Sequence, residues 1–154
     1  MLDPTANDPR LSTALALGRE IYALYEAGAD YDAPLRQLGV LVGRPIHGFA
    51  VRDGFGSVGP DIFARRQLVA WDQPPSDVTE EEMLEMVDGV CGVTSADELQ
   101  RDYWLACLQV CTGDRKIRDL IFFPGDYFGD GDDARLMSSS EILETALRAG
   151  GRPR

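Results

Sequence analysis

Asp119-Leu120-Ile121-Phe122-Phe123-Pro124 is the stretch on which the fold class turns. Beyond Asp119 it has no polar side chain, and it is bounded by charge on one side and a proline on the other. By periodicity alone so short an apolar run could be a short strand. Its surroundings are helical. Upstream, Val78-Thr79-Glu80-Glu81-Glu82-Met83 predicts a helix start, with Thr79 as N-cap, Glu82 closing a capping box and Val78 stapled against Met83. Glu80 and Glu81 favour the positive end of that helix. Met83, Leu84, Val87, Val90 and Cys91 then mark one apolar face, ending near Gly92. Ser95 with Glu98 predicts a second box, opening a helix through Leu99 to Cys111 that Thr112-Gly113-Asp114 closes. Downstream, residues 125–133 read as an acidic glycine-rich loop, and Ser139 or Ser140 caps a last helix over Glu141 to Ala149.

The preceding half is helical by the same criteria. Leu11, Ala14, Leu15, Leu17, Ile21, Leu24 and Tyr25 recur at helical spacing up to Gly28. A shorter run from about Ala33 to Val42 stops at Gly43 and Pro45, which suggests a helical hairpin. His47 to Pro60 holds Gly48, Gly54, Gly56 and Gly59 and reads as a loop. It is no phosphate cradle, because no strand precedes it and no lysine occurs in this half. Pro60 then opens a third helix reaching Trp71, and Trp71-Asp72-Gln73-Pro74-Pro75-Ser76 makes a hinge. The expected domains are therefore residues 1–75 and 76–154.

Charge follows the same division. The chain of 154 residues has 44% hydrophobic residues and a formal charge of −11. Residues 76–133 hold 15 of the 26 acids and only four of the 15 bases, so this one segment carries the whole excess. Such a chain is unsuited to gripping nucleic acid or anionic lipid, and a charged partner would be basic. No apolar run approaches the roughly 18 residues of a membrane span, and Met1-Leu2-Asp3-Pro4 lacks the basic and apolar regions of a signal peptide, so the expected location is cytoplasmic.

Chemistry-bearing motifs are sparse. Cys91, Cys107 and Cys111 lack the paired spacing of a disulfide or zinc framework and read as structural thiols. His47 has no nucleophile signature around it, and no hydrolase, metalloprotease or paired-carboxylate context gives a reason to propose an enzyme. Asp130-Gly131-Asp132-Asp133 with Glu141 invites a calcium-loop reading that fails at Ala134 and Arg135. No metal and no cofactor are expected.

From Thr79 to Pro124 without a gap, and more loosely to Arg154, the chain resembles the colicin and pyocin DNase immunity proteins. The resemblance rests on the T-E-x-E-x-L start at Thr79, the acidic second helix after a short turn, the Asp-Leu-Ile-aromatic-aromatic-Pro signature at Asp119 and the Asp-rich loop before a short last helix. It implies an all-α protein, a helical N-terminal part followed by a distorted four-helix bundle of the colicin-immunity type. The signature would form its short third helix. It further implies a non-enzymatic inhibitor that presses its second and third helices on a basic nuclease toxin and blocks access of DNA. Carried over, Glu98, Arg101, Asp102, Leu105 and Gln109 would supply partner specificity, and Asp119, Phe122 and Phe123 the anchor. An acidic interaction module of the same fold serving a non-DNase toxin or another basic protein is the alternative.

This sequence departs from the family at two points. The anchor aromatics, usually tyrosines, are Phe122 and Phe123, which lack hydroxyls and whose apolar character also suits a core position. Arg101 places a positive charge within an acidic recognition helix, the kind of change that alters partner choice. A second apolar stripe, Leu99, Tyr103, Cys107 and Val110, needs a cover. The helices of residues 11–70 are the expected cover, with a weak dimer through the stripe as the alternative to a monomer.

Overall fold

The computed structural model describes residues 3–151, and the described residues form nine α-helices and no strand. Residues 1, 2 and 152–154, at which the expectations about the chain start and the loose end of the resemblance lie, are outside them. No described helix is long and apolar enough to cross a membrane. The chain divides into two compact units between Val69 and Ala70, six residues before the boundary expected from the Pro-rich hinge.

The N-terminal unit consists of α1 (Leu11–Glu26), α2 (Asp32–Val42), α3 (Gly48–Ser57) and α4 (Pro60–Leu68). Ala14, Leu17 and Ile21 of α1 pack with Leu35 and Leu38 of α2 and with Phe63, Ala64 and Leu68 of α4. At Gly18 a Cβ would lie 2.8 Å from that of Ala64, so the glycine is what lets α1 and α4 close on each other. Arg19 and Asp61 clamp the outside of this contact with two hydrogen bonds at 2.9 and 3.0 Å.

Helix α3 corrects the loop reading of the glycine-rich stretch. Its propensity is poor, yet Val51 is fully buried and the Phe55 ring lies 4.8 to 5.6 Å from the rings of Tyr22, Tyr25 and Phe63. Gly54 sits under Phe63, where a Cβ would meet the ring at 2.8 Å. Tertiary packing thus outweighs the cost of helical glycine. The expected Pro60 helix exists, but it ends at Leu68.

The C-terminal unit holds α5 (Glu80–Val90), α6 (Glu98–Thr112), α7 (Ile117–Phe122), α8 (Pro124–Phe128) and α9 (Ser139–Ala149). Helices α5, α6 and α9 pack on one another, α7 closes on α6 and α9, and α8 packs on α7. Capping boxes start the three long helices. That of α5 is the expected Thr79–Glu82 pair, whose hydrogen bonds, the backbone one foremost, hold the Glu82 carboxyl below its ordinary range. The other two are displaced from expectation: Asp97 with Gln100 replaces Ser95 with Glu98, and Ser138 replaces Ser139 or Ser140.

Two glycines set the interhelical spacing of this unit. A Cβ on Gly89 of α5 would fall 2.1 Å from the ring of Trp104, which is 1% exposed at the centre of α6. One on Gly150 would fall 1.8 Å from the carbonyl oxygen of Thr112, where the ends of α9 and α6 meet. Leu99, Tyr103 and Cys107 of the second apolar stripe are buried, whereas Val110 is 40% exposed. Part of their cover comes from the segment before α5. Trp71 stacks edge-on against Tyr103 with ring centroids 6.3 Å apart, and the Cys111 thiol donates to the Pro75 carbonyl at 3.3 Å. These contacts are why residues 70–75 belong to the C-terminal unit. Cys107 and Cys111 are buried thiols, the first pushed up to about 11 by burial, while Cys91, expected on the buried face of α5, is exposed.

Candidate functional site

The Asp119 signature is helical. Ile117 and Leu120 point α7 into the core, and the Asp119 carbonyl accepts from the Phe123 amide at 2.7 Å to end the helix. Phe123 is also the residue from which α8 departs, its carbonyl accepting from the Asp126 and Tyr127 amides. It therefore occupies a corner between two helices. Phe122 and Phe123 are 44% and 50% exposed, so neither is a core residue. The Arg118 guanidinium sits over the Phe122 ring at 6.0 Å.

On α6 the specificity residues of the sequence analysis divide. Glu98 and Arg101 are exposed, and Asp102 and Gln109 are half-buried at the edge of the helix. Leu105 is 6% exposed and packs in the core, so little of its side chain is presented at the surface on which the resemblance places it. The spacing 98, 102, 105, 109 does describe one helical face, but α6 is buried on so much of its girth that the middle of that face turns inward. Asp119 is half-buried on α7.

Helix α8 was not foreseen; residues 125–133 read as loop. The available signal is Pro124 at the first helical position with Gly129 at the left-handed C-cap, φ 72°. A chain of hydrogen bonds fixes it to α6. Thr112 Oγ1 donates to the Leu108 carbonyl at 2.6 Å and accepts from the Asp114 amide at 3.2 Å. Asp114, 7% exposed, takes the Lys116 amide on one carboxyl oxygen and the Tyr127 hydroxyl on the other at 2.8 Å.

Burial, with the Asp114 bond and charge adding to it, pushes the Tyr127 phenol up to about 12 from its ordinary value of 10. The folded protein thus keeps a proton that the unfolded chain releases at lower pH. The stability this linkage contributes is complete below pH about 10 and is lost as pH rises toward about 12. Tyr103 is raised to about 12 as well, so the test compares wild type with Tyr127→Phe. The difference in urea midpoint between the two proteins is expected to hold steady from neutrality to pH about 9.5 and to shrink beyond it. A difference that grew with alkalinity would exclude the linkage.

Among the described residues no three His, Cys, Asp or Glu side chains are grouped to hold a metal ion. His47 stands at the N-cap of α3 on an open cleft of about 620 Å³ lined also by Arg36, Arg44, Leu35 and Ile46. Comparison of the chain with protein-family models, with curated proteins and with solved structures gives no match.

Proposed function

We propose that this chain is a bacteriocin immunity protein that binds a cationic nuclease toxin domain and inhibits it by covering its DNA-binding surface. The observation that carries the reading is the pair Phe122 and Phe123, half-exposed at a helix corner beside Asp119. Exposed aromatic side chains in a polar surround are the usual energetic centre of a protein interface. The strongly acidic segment of residues 76–133 supplies the complementary field, which raises the association rate with a basic partner. In this reading α5, α6, α7 and α9 are the four helices of the immunity-type bundle, and inhibition is steric. The resemblance in residues 79–124 is what favours a DNase as the toxin. A non-DNase toxin or another basic protein would use the same surface.

The decisive experiment titrates a purified DNase toxin domain encoded beside this gene with the protein at physiological salt. DNA cleavage is expected to cease at one equivalent. Asp119→Ala is expected to weaken the complex by about tenfold with little change in melting temperature, since the loss is that of a carboxylate next to the two exposed rings, while the bond that ends α7 is made by the backbone carbonyl of this residue. Undiminished cleavage with no complex at micromolar concentrations would exclude the reading.

A further inference from the structure

Helix α8 and the loop after it present a surface that the α6 and α7 residues do not include. Residues 124–134 contain Asp126, Asp130, Asp132 and Asp133 and no base. Phe128, the last residue of α8, is 40% exposed, comparable to Phe122 and Phe123, although its helix packs directly on α7. One flank of its ring is occupied: the Arg135 guanidinium stacks on it at 4.2 Å and is ion-paired with Asp130.

The backbone around Phe128 is held as firmly as a contact surface requires. Gly125 donates to Asp133 Oδ1 at 2.9 Å, and its carbonyl accepts from the Asp130 and Gly131 amides at 3.1 and 3.2 Å. The loop returns so closely that a Cβ on Gly125 would meet the Asp132 amide nitrogen at 2.6 Å. Tyr127 ties the other side of the helix to Asp114. A surface ordered before binding loses less conformational entropy when a partner arrives.

We infer that α8 and its loop are a second contact area for the basic partner, with Phe128 as an apolar contact and Asp126 and Asp132 as exposed charges facing cations. The inference rests on the immunity reading, and it extends the interface from the α7 anchor along residues 124–134. The occupant is the cationic nuclease domain itself, because an acidic strip with one aromatic contact complements lysine and arginine stems that bring both charge and apolar length.

The test measures association and dissociation rates of the full chain with the nuclease domain for wild type, Phe123→Ala, Phe128→Ala and the pair Asp126→Asn/Asp132→Asn. Melting curves are recorded beside them. Phe128→Ala is expected to raise the dissociation rate about tenfold. The charge pair is expected to slow association at least threefold at low salt and to leave it unchanged at high salt. If Phe128→Ala lowers the melting temperature, the charge pair on exposed side chains decides the matter alone. Wild-type rates in both variants, with Phe123→Ala impaired, would overturn this inference and leave the immunity reading standing. A wild-type chain that does not bind would overturn both.

Discussion

Gly89→Ala is expected to destabilise the C-terminal unit by about 3 kcal/mol, near the upper end of overpacking costs. For a unit of this size that lowers the melting temperature by roughly 15 °C. The reason is geometric. A methyl group at this position would overlap the six-membered ring of Trp104 at 2.1 Å, and that ring has no empty space to retreat into because the side chain is 1% exposed. Relief requires either separating α5 from α6 or turning Trp104 out of its rotamer. Intrinsic propensity pulls the other way, since alanine is a better helix former than glycine by about 1 kcal/mol. A measured loss is therefore net of that gain. Gly56→Ala in α3 is the control, because beyond its chain neighbours and its own helical turn nothing lies within 4 Å of its Cβ position and the sign should reverse, to a gain of about 0.5 kcal/mol. Calorimetry of both variants checks the pair. A Gly89→Ala protein that melts with wild type would mean that the contact between α5 and α6 is not tight.

Under the proposed immunity function, Phe123→Ala carries the largest expected effect on binding. Truncating a central aromatic anchor costs about 2 kcal/mol or more, a loss of at least roughly 30-fold in affinity for the nuclease domain. Its stability cost should be small, since half the ring is already in water and the backbone bonds that end α7 and begin α8 do not use the side chain. Leu105→Ala separates the two roles. That side chain is core, so its truncation is expected to cost about 3 kcal/mol of stability, while the fraction of protein that remains folded binds normally. Titration calorimetry together with thermal melts on the two variants distinguishes a contact residue from a supporting one. Comparable affinity for wild type and Phe123→Ala would remove the anchor role.

What the sequence made legible was local. Thr79 and Glu82 announce the start of α5 because a capping box is complete within four residues. The choice between Ser95–Glu98 and Asp97–Gln100 is different. Both pairs have the right spacing, and which one caps α6 depends on the turn at which Leu99 enters the core. Helix α3 was illegible for a stronger reason, since the contacts that hold its glycines in a helix come from Tyr22, Tyr25 and Phe63 on other elements. At the site, Phe122 and Phe123 could be named as candidates but not placed. Their exposure follows from the corner between α7 and α8, and α8 itself was hidden by glycines that read as a loop. The burial of Leu105 was not legible either, because its helical spacing matches that of its exposed neighbours and only the depth of α6 turns it inward.

The placement of Trp71 against Tyr103 and of Trp104 against Gly89 has a spectroscopic consequence. The chain has two tryptophans, and both lie in the C-terminal unit. Indole emission, excited at its red edge, therefore reports unfolding of that unit alone. The aromatic cluster of the N-terminal unit contains only tyrosines and phenylalanines and is silent at that wavelength. Helical circular dichroism samples both units. In a single denaturation series, the interval between the two transitions reads out whether residues 3–69 unfold with the rest of the chain or separately from it.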